Sequence, residues 1–371
     1  MIVGIPTEVK NNENRVAATP GGAHELTARG HEVLVQSGAG VGSGFSDGDF
    51  AAAGARIVPA ADDVWAAADL VLKVKEPVAE EYPRLRRDQV LFTYLHLAAS
   101  RACTDAILAS GTTAIAYETV QLSDRSLPLL QPMSEIAGRL APQVGAYHLM
   151  EAHGGSGILM GGVAGTPKAK VVVIGGGVAG EHATANALGM GSEVTVIDIS
   201  IPRLREIEAR FGGAVHTRVS SAYEIAEKVE EADLVVGSVL IPGAQAPKLV
   251  TAEMVAAMRP GSVLVDIAID QGGCFEGSRP TTHDDPIFRV HDAVYYCVAN
   301  MPGAVPRTST RALTNATLRY ALALADRGWR DAVAADAALA AGLNAHDGQL
   351  ANAGVAAAFG LTHRDPHALA A

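Results

Sequence analysis

The segment KVVVIGGGVAGEHATANALGMGSEVTVID, residues 170–198, decides the fold. Lys170–Ile174 carries four successive β-branched residues, Val171–Ile174, and reads as a buried strand. Gly175, Gly177 and Gly180 follow at G-x-G-x-x-G spacing. Gly175 permits a tight turn, Gly177 lets the backbone approach a pyrophosphate, and Gly180 lets a helix pack closely on the strand. That helix is predicted over Val178–Gly189. The N–H groups at its start, Val178 and Ala179, offer hydrogen bonds and a positive partial charge to phosphate. A second strand, Glu193–Asp198, ends on an acid roughly 20 residues past the glycines. A carboxylate at Asp198 accepts hydrogen bonds from a ribose 2′-hydroxyl and repels a 2′-phosphate, which favours NAD over NADP. The competing reading is a glycine turn that binds nothing. A strand before, a helix after and an acid at the next strand end weigh against it. Arg203, in the following helix, is either a contact for the adenosine end or a solvated charge.

Outward from this core, strands alternate with helices. Upstream, Ile2–Ile5, Glu32–Gln36, Leu70–Val74, Val90–Tyr94 and Thr113–Ala116 read as strands. Thr19-Pro20 starts a helix that runs to about Arg29, with proline at its first position, and another helix lies near Asp47–Ala53. Downstream, strands are expected at Leu234–Gly237 and Ser262–Ile267. A long helix over Met133–Ala152, containing Pro142, leaves the first domain, and the glycine-rich stretch Gly154–Gly165 serves as a linker. Asn300 to about Arg327 reads as a second long helix, broken at its start by Pro302 and Pro306, that returns the chain. The layout predicts an α/β protein of two Rossmann-like domains with parallel sheets. The NAD-binding domain, residues 131–304, is inserted into a discontinuous domain of residues 1–130 and 305–371. The alanine-rich stretch Ala332–Ala358 reads as helical, and the residues from about His363 as loosely held.

Composition bounds the function. The chain has 371 residues, 49% of them hydrophobic and only 19% charged, as a core-rich globular protein has. With 29 basic and 40 acidic residues the formal net charge is −11. That balance opposes nucleic-acid partners, whose phosphates demand a basic surplus, and anionic membranes. Cys103, Cys274 and Cys297 are too few and too widely spaced for a disulfide framework or a zinc site, and read as reduced, buried thiols. The start, MIVGIPTEVK, lacks the features of a signal peptide. The longest weakly charged stretch, Ala152–Pro167, is too short to span a bilayer. A cytoplasmic location is expected.

Four charged residues sit where the strand pattern places the carboxyl ends of a parallel sheet, the usual ligand position in such folds. Arg15 lies in the loop after the first strand, Lys75 ends VLKVK, His96 lies in YLHLA, and Asp270 lies in VDIAIDQGG. Each has a bland alternative: a loop charge, a strand-end solvator, a satisfied core histidine, a turn former before Gly272-Gly273. As a set they fit one reaction. A cationic pair holds a carboxylate and polarises a carbonyl, an imidazole moves protons near neutral pH, and a carboxylate assists or orients water.

Together, GIPTEVKNNENRVAATP, LVLKVKEP, LFTYLHLAAS, GGGVAG with VTVID, LVDIAIDQGGCFEGSRPTTHDDP and YYCVANMPGAVPRTST resemble the alanine dehydrogenase family over about residues 1–325. The resemblance implies that Arg15 and Lys75 bind the substrate carboxylate and carbonyl and that His96 and Asp270 are the catalytic acid/base residues. It implies a cofactor site lined by Ser134, Asp198, Ser220, Val239, Leu240, Ile267, Asn300 and Met301, dependence on NAD, and a homohexamer. The implied reaction interconverts L-alanine with pyruvate and ammonium by hydride transfer, with domain closure excluding water. Two other classes remain open. A transhydrogenase nucleotide-binding portion shares the fold but needs no amino-acid pocket, and a non-catalytic NAD sensor has no need of His96 with Asp270. A dehydrogenase for a larger amino acid, of saccharopine type, is a third, because one sequence does not show pocket size.

Overall fold

A computed structural model describes residues 1–239 and 246–370. It divides into two compact units, Met1–Met133 with Val305–Ala371, and Ser134–Ala304.

The first unit is built on β1 (Ile2–Ile5), β2 (Glu32–Gln36), β3 (Arg56–Val58), β4 (Leu70–Leu72), β5 (Val90–Thr93) and β6 (Thr113–Ala116). These strands are parallel and lie in the order β3-β2-β1-β4-β5-β6. Every residue of β4, β5 and β6 is buried, which explains their short, unbroken apolar runs. Gly4 in β1 is there for contact: a Cβ on it would stand 2.6 Å from the Ala68 Cβ. The helix Pro20–Ala28 starts as expected, with the Thr19 side chain accepting from the Gly22 N–H. Strand order reverses between β1 and β4, so the loops leaving those two strands flank a topological switch point, where open α/β sheets bind ligands. β4 stops at Leu72, short of the expected Val74, because Lys73 onward turns inward to buried carboxylates.

The second unit contains β7 (Lys170–Ile174), β8 (Glu193–Asp198), β9 (His216–Val219), β10 (Leu234–Gly237), β11 (Val263–Asp266), β12 (Ile287–Val290) and β13 (Ala293–Tyr296). Its order, β9-β8-β7-β10-β11-β13-β12, repeats the pattern of the first unit with the switch between β7 and β10. All pairs are parallel except β12 with β13. The helix after β7 covers Val178–Gly189, as read from the glycine motif.

Several expectations change. The long helix covers Gln131–His148, carrying Pro142 inside it, and ends before Ala152. The stretch Gly154–Gly165 is no free linker. It folds against the second unit, where the Ser156 N–H donates to the Gly261 carbonyl at 3.0 Å and Arg289 donates to the Gly154 carbonyl at 2.7 Å. The return helix begins only at Pro306 and runs to Arg327, after a separate 3-10 turn at Met301–Ala304. Proline at its first position sets that start.

The alanine-rich end is not all helical. Helices Trp329–Ala335 and Ala337–Gly342 lead into β14 (Leu343–His346) and β15 (Gln349–Leu350), and a further helix covers Ala353–Phe359. β14 runs antiparallel to β6 and β15 antiparallel to β14, which gives the otherwise parallel sheet a mixed edge. The hairpin follows from Asp347-Gly348, with φ of +48° and +78°. Positive φ at both central positions is the two-residue turn that Asp-Gly favours. Beyond His363 the chain is tied down: Leu369 is buried, and Arg330 donates to its carbonyl at 3.1 Å. Among the described residues no helix is long and apolar enough to cross a membrane.

Candidate active site

In the first unit the loops at the carboxyl ends of β1, β4, β5 and β6 carry the charged residues. Arg15 follows β1 and is buried. Its Nε and Nη2 donate to the two carboxylate oxygens of Glu13 at 2.7 and 2.5 Å, and its Nη1 points at the Met133 Sδ at 3.0 Å. This two-pronged grip aims the guanidinium. Burial alone lowers the pKa of Arg15, but Glu13 overrides it and the group is held above its ordinary value.

Lys75 is placed by the backbone before it. Glu8, also from the β1 loop, accepts the Val74 N–H at 2.6 Å and the Lys75 N–H at 3.4 Å. The same carboxylate accepts from the fully buried Lys73 Nζ at 3.1 Å, which also donates to Glu81 at 2.8 Å. Burial pushes the Glu8 carboxyl up, against the pull of Lys73.

His96 and Lys75 meet at Glu76. The Glu76 Oε2 lies 3.4 Å from the His96 Nδ1 and 3.9 Å from the Lys75 Nζ, and Lys10 closes on the other oxygen. Burial raises the Glu76 carboxyl, but the hydrogen bond to His96 and the charges of Lys75, His96 and Lys10 outweigh it and hold the group well below the usual carboxylate range. The His96 ring stacks on Tyr94 with centroids 5.9 Å apart, and Tyr94 in turn feels the charge of Arg15. Arg15, Lys75 and His96 thus belong to one contiguous cluster. Both neighbours of the imidazole, Glu76 and Tyr94, come from segments on which the sequence singled out only Lys75 and His96.

In the second unit the glycine loop has the geometry of a phosphate cradle. Gly175 has φ +97°. Gly177 caps the helix without any side-chain hydrogen bond, and a Cβ there would meet nothing within 4 Å. The helix end at Val178 and Ala179 is therefore open to a diphosphate. At Gly180 a Cβ would collide with the Gly175 carbonyl oxygen and stand 2.8 Å from the Ser238 Oγ. Gly180→Ala should cost about 1–3 kcal/mol of stability by overpacking. Thermal melting measures the effect, and an unchanged melting temperature contradicts the reading.

The Asp198 carboxylate accepts the Gly176 N–H at 2.6 Å and the Ser200 N–H at 2.8 Å, at the end of β8. Ser220 follows β9 and donates its N–H to the Asp198 carbonyl at 2.9 Å. Val239 follows β10 beside Gly175, and Leu240 lies outside the described residues. Arg203 braces the loop: its Nε donates to the Gly176 carbonyl at 2.6 Å, while its other nitrogens pair with Glu181 and Glu206. Ser134 is one turn before Gly138 on its helix, and a Cβ at Gly138 would strike the Ala179 carbonyl. That contact brings the Ser134 helix against the phosphate-binding helix.

Ile267 and Asp270 lie in the 3-10 turn Ile267–Gln271, not on the strand itself, and Asp270 is exposed. The turn is anchored by the fully buried Asp266, which accepts from the Cys274 N–H at 3.0 Å and the Ser278 hydroxyl at 2.6 Å. Gly272 and Gly273 have φ of +88° and +74°, so the turn needs both glycines. Asn300 accepts from His283 on its carbonyl at 2.8 Å, and Met301 is buried beside it in sequence. All three cysteines are buried, and burial pushes the thiols of Cys103 and Cys297 up to about 12. They are not nucleophiles.

The sequence reading missed Glu8, Glu13, Glu76, Glu118 and Asp266. Glu13 and Glu76 stand within two residues of a candidate cation and Asp266 lies at the end of an apolar run, whereas Glu8 and Glu118 carry no such signal in the sequence.

The family models "Alanine dehydrogenase/PNT, N-terminal domain" and "Alanine dehydrogenase/PNT, C-terminal domain" match residues 4–137 and 141–353. An alanine dehydrogenase of Mycolicibacterium smegmatis is 64% identical over 98% of this chain and 98% of its own. One of Mycobacterium tuberculosis is 65% identical over 99% of each. A solved L-alanine dehydrogenase superposes with a TM-score of 0.93 at 49% identity, covering 97% of this chain and 99% of that one. A transhydrogenase from Sinorhizobium meliloti superposes with a TM-score of 0.80 at 29% identity, over 95% and 99%. With matches spanning nearly its whole length, the chain belongs to the alanine dehydrogenase/PNT family.

Proposed function

We propose that this protein is an NAD-dependent alanine dehydrogenase, converting L-alanine, NAD and water to pyruvate, ammonium, NADH and a proton, and running the reverse reductive amination. The observation that carries the reading is identity of 64–65% with alanine dehydrogenases across essentially the whole chain. The charged cluster of the first unit, which a nucleotide-only enzyme does not need, supports it.

The residues present fit a dinucleotide: an uncapped helix end at Gly177, an open space above it, and an acid at Asp198. Bound NAD supplies the hydride acceptor. Gly175, Gly177, Val178, Ala179 and Gly180 hold its diphosphate, and Asp198 the ribose. Ser134, Ser220, Val239, Ile267, Asn300 and Met301 line the remainder, with Arg203 bracing the loop.

Arg15 binds the substrate carboxylate by charge-assisted hydrogen bonds, and Glu13 keeps the guanidinium from swinging. Lys75 polarises the carbonyl or imine carbon. Glu76 holds a proton on the His96 Nδ1 and so leaves Nε2 to exchange protons with water. In the oxidative direction His96 takes a proton from the water that attacks the imine carbon and returns one to the departing ammonia. Asp270 orients that water and assists the transfer.

The test is absorbance at 340 nm with pyruvate, ammonium and NADH. Ammonium-dependent loss of NADH, with little loss of NADPH, is expected. No turnover despite NADH binding removes the reading in favour of nucleotide exchange. Asp198→Asn keeps an acceptor but deletes the charge. It should narrow the preference for NADH over NADPH by about 10- to 100-fold, since a like-charge contact is worth several kcal/mol; an unchanged ratio of kcat/KM contradicts that role. We further propose a cytoplasmic enzyme that assembles as a homohexamer, which light scattering measures directly.

A further inference from the structure

We infer that Glu118 is the positioning residue for His96, an assignment that rests on the catalytic role proposed for the imidazole. Glu118 stands in the 3-10 turn Tyr117–Thr119 that follows β6, beside the strand that carries His96. Its two carboxylate oxygens both lie 3.2 Å from the Leu95 N–H, and Oε1 accepts the His96 N–H at 2.7 Å. Two successive backbone donors converge on one carboxylate, the concave arrangement by which a backbone nest binds an anion.

The reason for the device is the backbone of His96. It has φ +46° and ψ +37°, the left-handed region. For a residue with a Cβ that conformation is strained, and it persists only where surroundings impose it. The Glu118 carboxylate imposes it by holding the N–H of His96 and the one before. The other restraint is downstream, where the Ala99 N–H donates to the His96 carbonyl at 2.9 Å. With the backbone fixed, the ring falls on Tyr94 and its Nδ1 comes to 3.4 Å from Glu76. In a relaxed right-handed or extended conformation the Cα–Cβ bond points elsewhere and both contacts are lost. Glu118 thus acts through the backbone, while Glu76 acts on the ring.

The experiment compares Glu118→Ala and Glu118→Gln in the full-length protein. Three readouts serve: steady-state kinetics, NADH affinity, and the His96 imidazole resonances, assigned by their absence in His96→Asn. Glu118→Ala should lower kcat about 10- to 100-fold, the scale of a misplacement near 1 Å, move the His96 ring resonances, and leave NADH affinity unchanged. Glu118→Gln, which keeps an acceptor oxygen, should recover most of kcat and the native resonances. If Glu118→Ala fails to fold, Glu118→Asp, which withdraws the carboxylate by one methylene, takes its place with the same directions. Unmoved His96 resonances in Glu118→Ala overturn the inference whatever happens to kcat, because the residue is then only a structural brace. A wild type that does not reduce pyruvate refutes the catalytic reading instead, and the resonances still decide whether Glu118 sets the ring.

Discussion

His96→Asn should lower kcat for pyruvate reduction by about 10²- to 10⁴-fold, the usual contribution of a positioned general acid/base, with NADH affinity unchanged. Asparagine is the right replacement because of the backbone. At φ +46° most side chains are strained, and asparagine tolerates that region best after glycine. His96→Ala would mix the loss of the imidazole with a backbone penalty. Asparagine also cannot exchange a proton near neutral pH, so the loss reports proton transfer. Stopped-flow absorbance under single turnover separates the chemical step from product release. If the rate stays within about threefold of the wild type, less than the smallest contribution expected of a general acid/base, proton transfer belongs elsewhere.

Arg15→Ala carries two effects that a double variant separates. Deleting a charged partner of a substrate carboxylate costs roughly 2–5 kcal/mol, on the order of 10²- to 10³-fold in the KM for pyruvate. The same deletion takes the guanidinium away from the buried Glu13 carboxylate, which keeps the backbone N–H of residue 15 at 3.0 Å but loses its ion pair. Breaking one half of a buried pair destabilises by about 3–5 kcal/mol. Removing both halves, Arg15→Ala with Glu13→Ala, should restore much of the stability and none of the pyruvate affinity. Thermal melting and substrate saturation measure the two. Recovery of a low KM in the double variant contradicts the assignment of Arg15 to the substrate.

What the sequence made legible was what local chemistry dictates. The turn at Gly175–Gly180 admits one reading, because only glycine suits the φ of +97° at Gly175 and the close approach at Gly180. Most of the buried strands, though not β13, declared themselves as apolar runs ended by polar residues. β14 and β15 did not. Alanine's helical propensity dominated the window, although Asp347-Gly348 marks a turn with a mechanism. The strand β9, His216–Val219, was invisible because only one of its residues shows partial burial and none is buried, leaving no apolar signature. In the site, the cations were legible as unusual charges at strand ends. Their carboxylate anchors were not, because an acid in a loop does not announce which backbone or side chain it will face. Glu118 lies 22 residues from His96 in sequence, and only the parallel pairing of β5 with β6 brings them together. Asp266 falls inside the strand expected at Ser262–Ile267, and nothing in the sequence marks it as the residue that holds the turn carrying Asp270 in place.

In the proposed reaction hydride leaves the Cα of alanine. L-alanine deuterated at C2, incubated with NAD and the enzyme, tests it directly by mass spectrometry of the nucleotide. One deuterium in each reduced NADH formed, with pyruvate and ammonium in equal amounts, is the expected result. NADH that forms without deuterium, or a nucleotide reduced only when a second reduced nucleotide is supplied, contradicts the account.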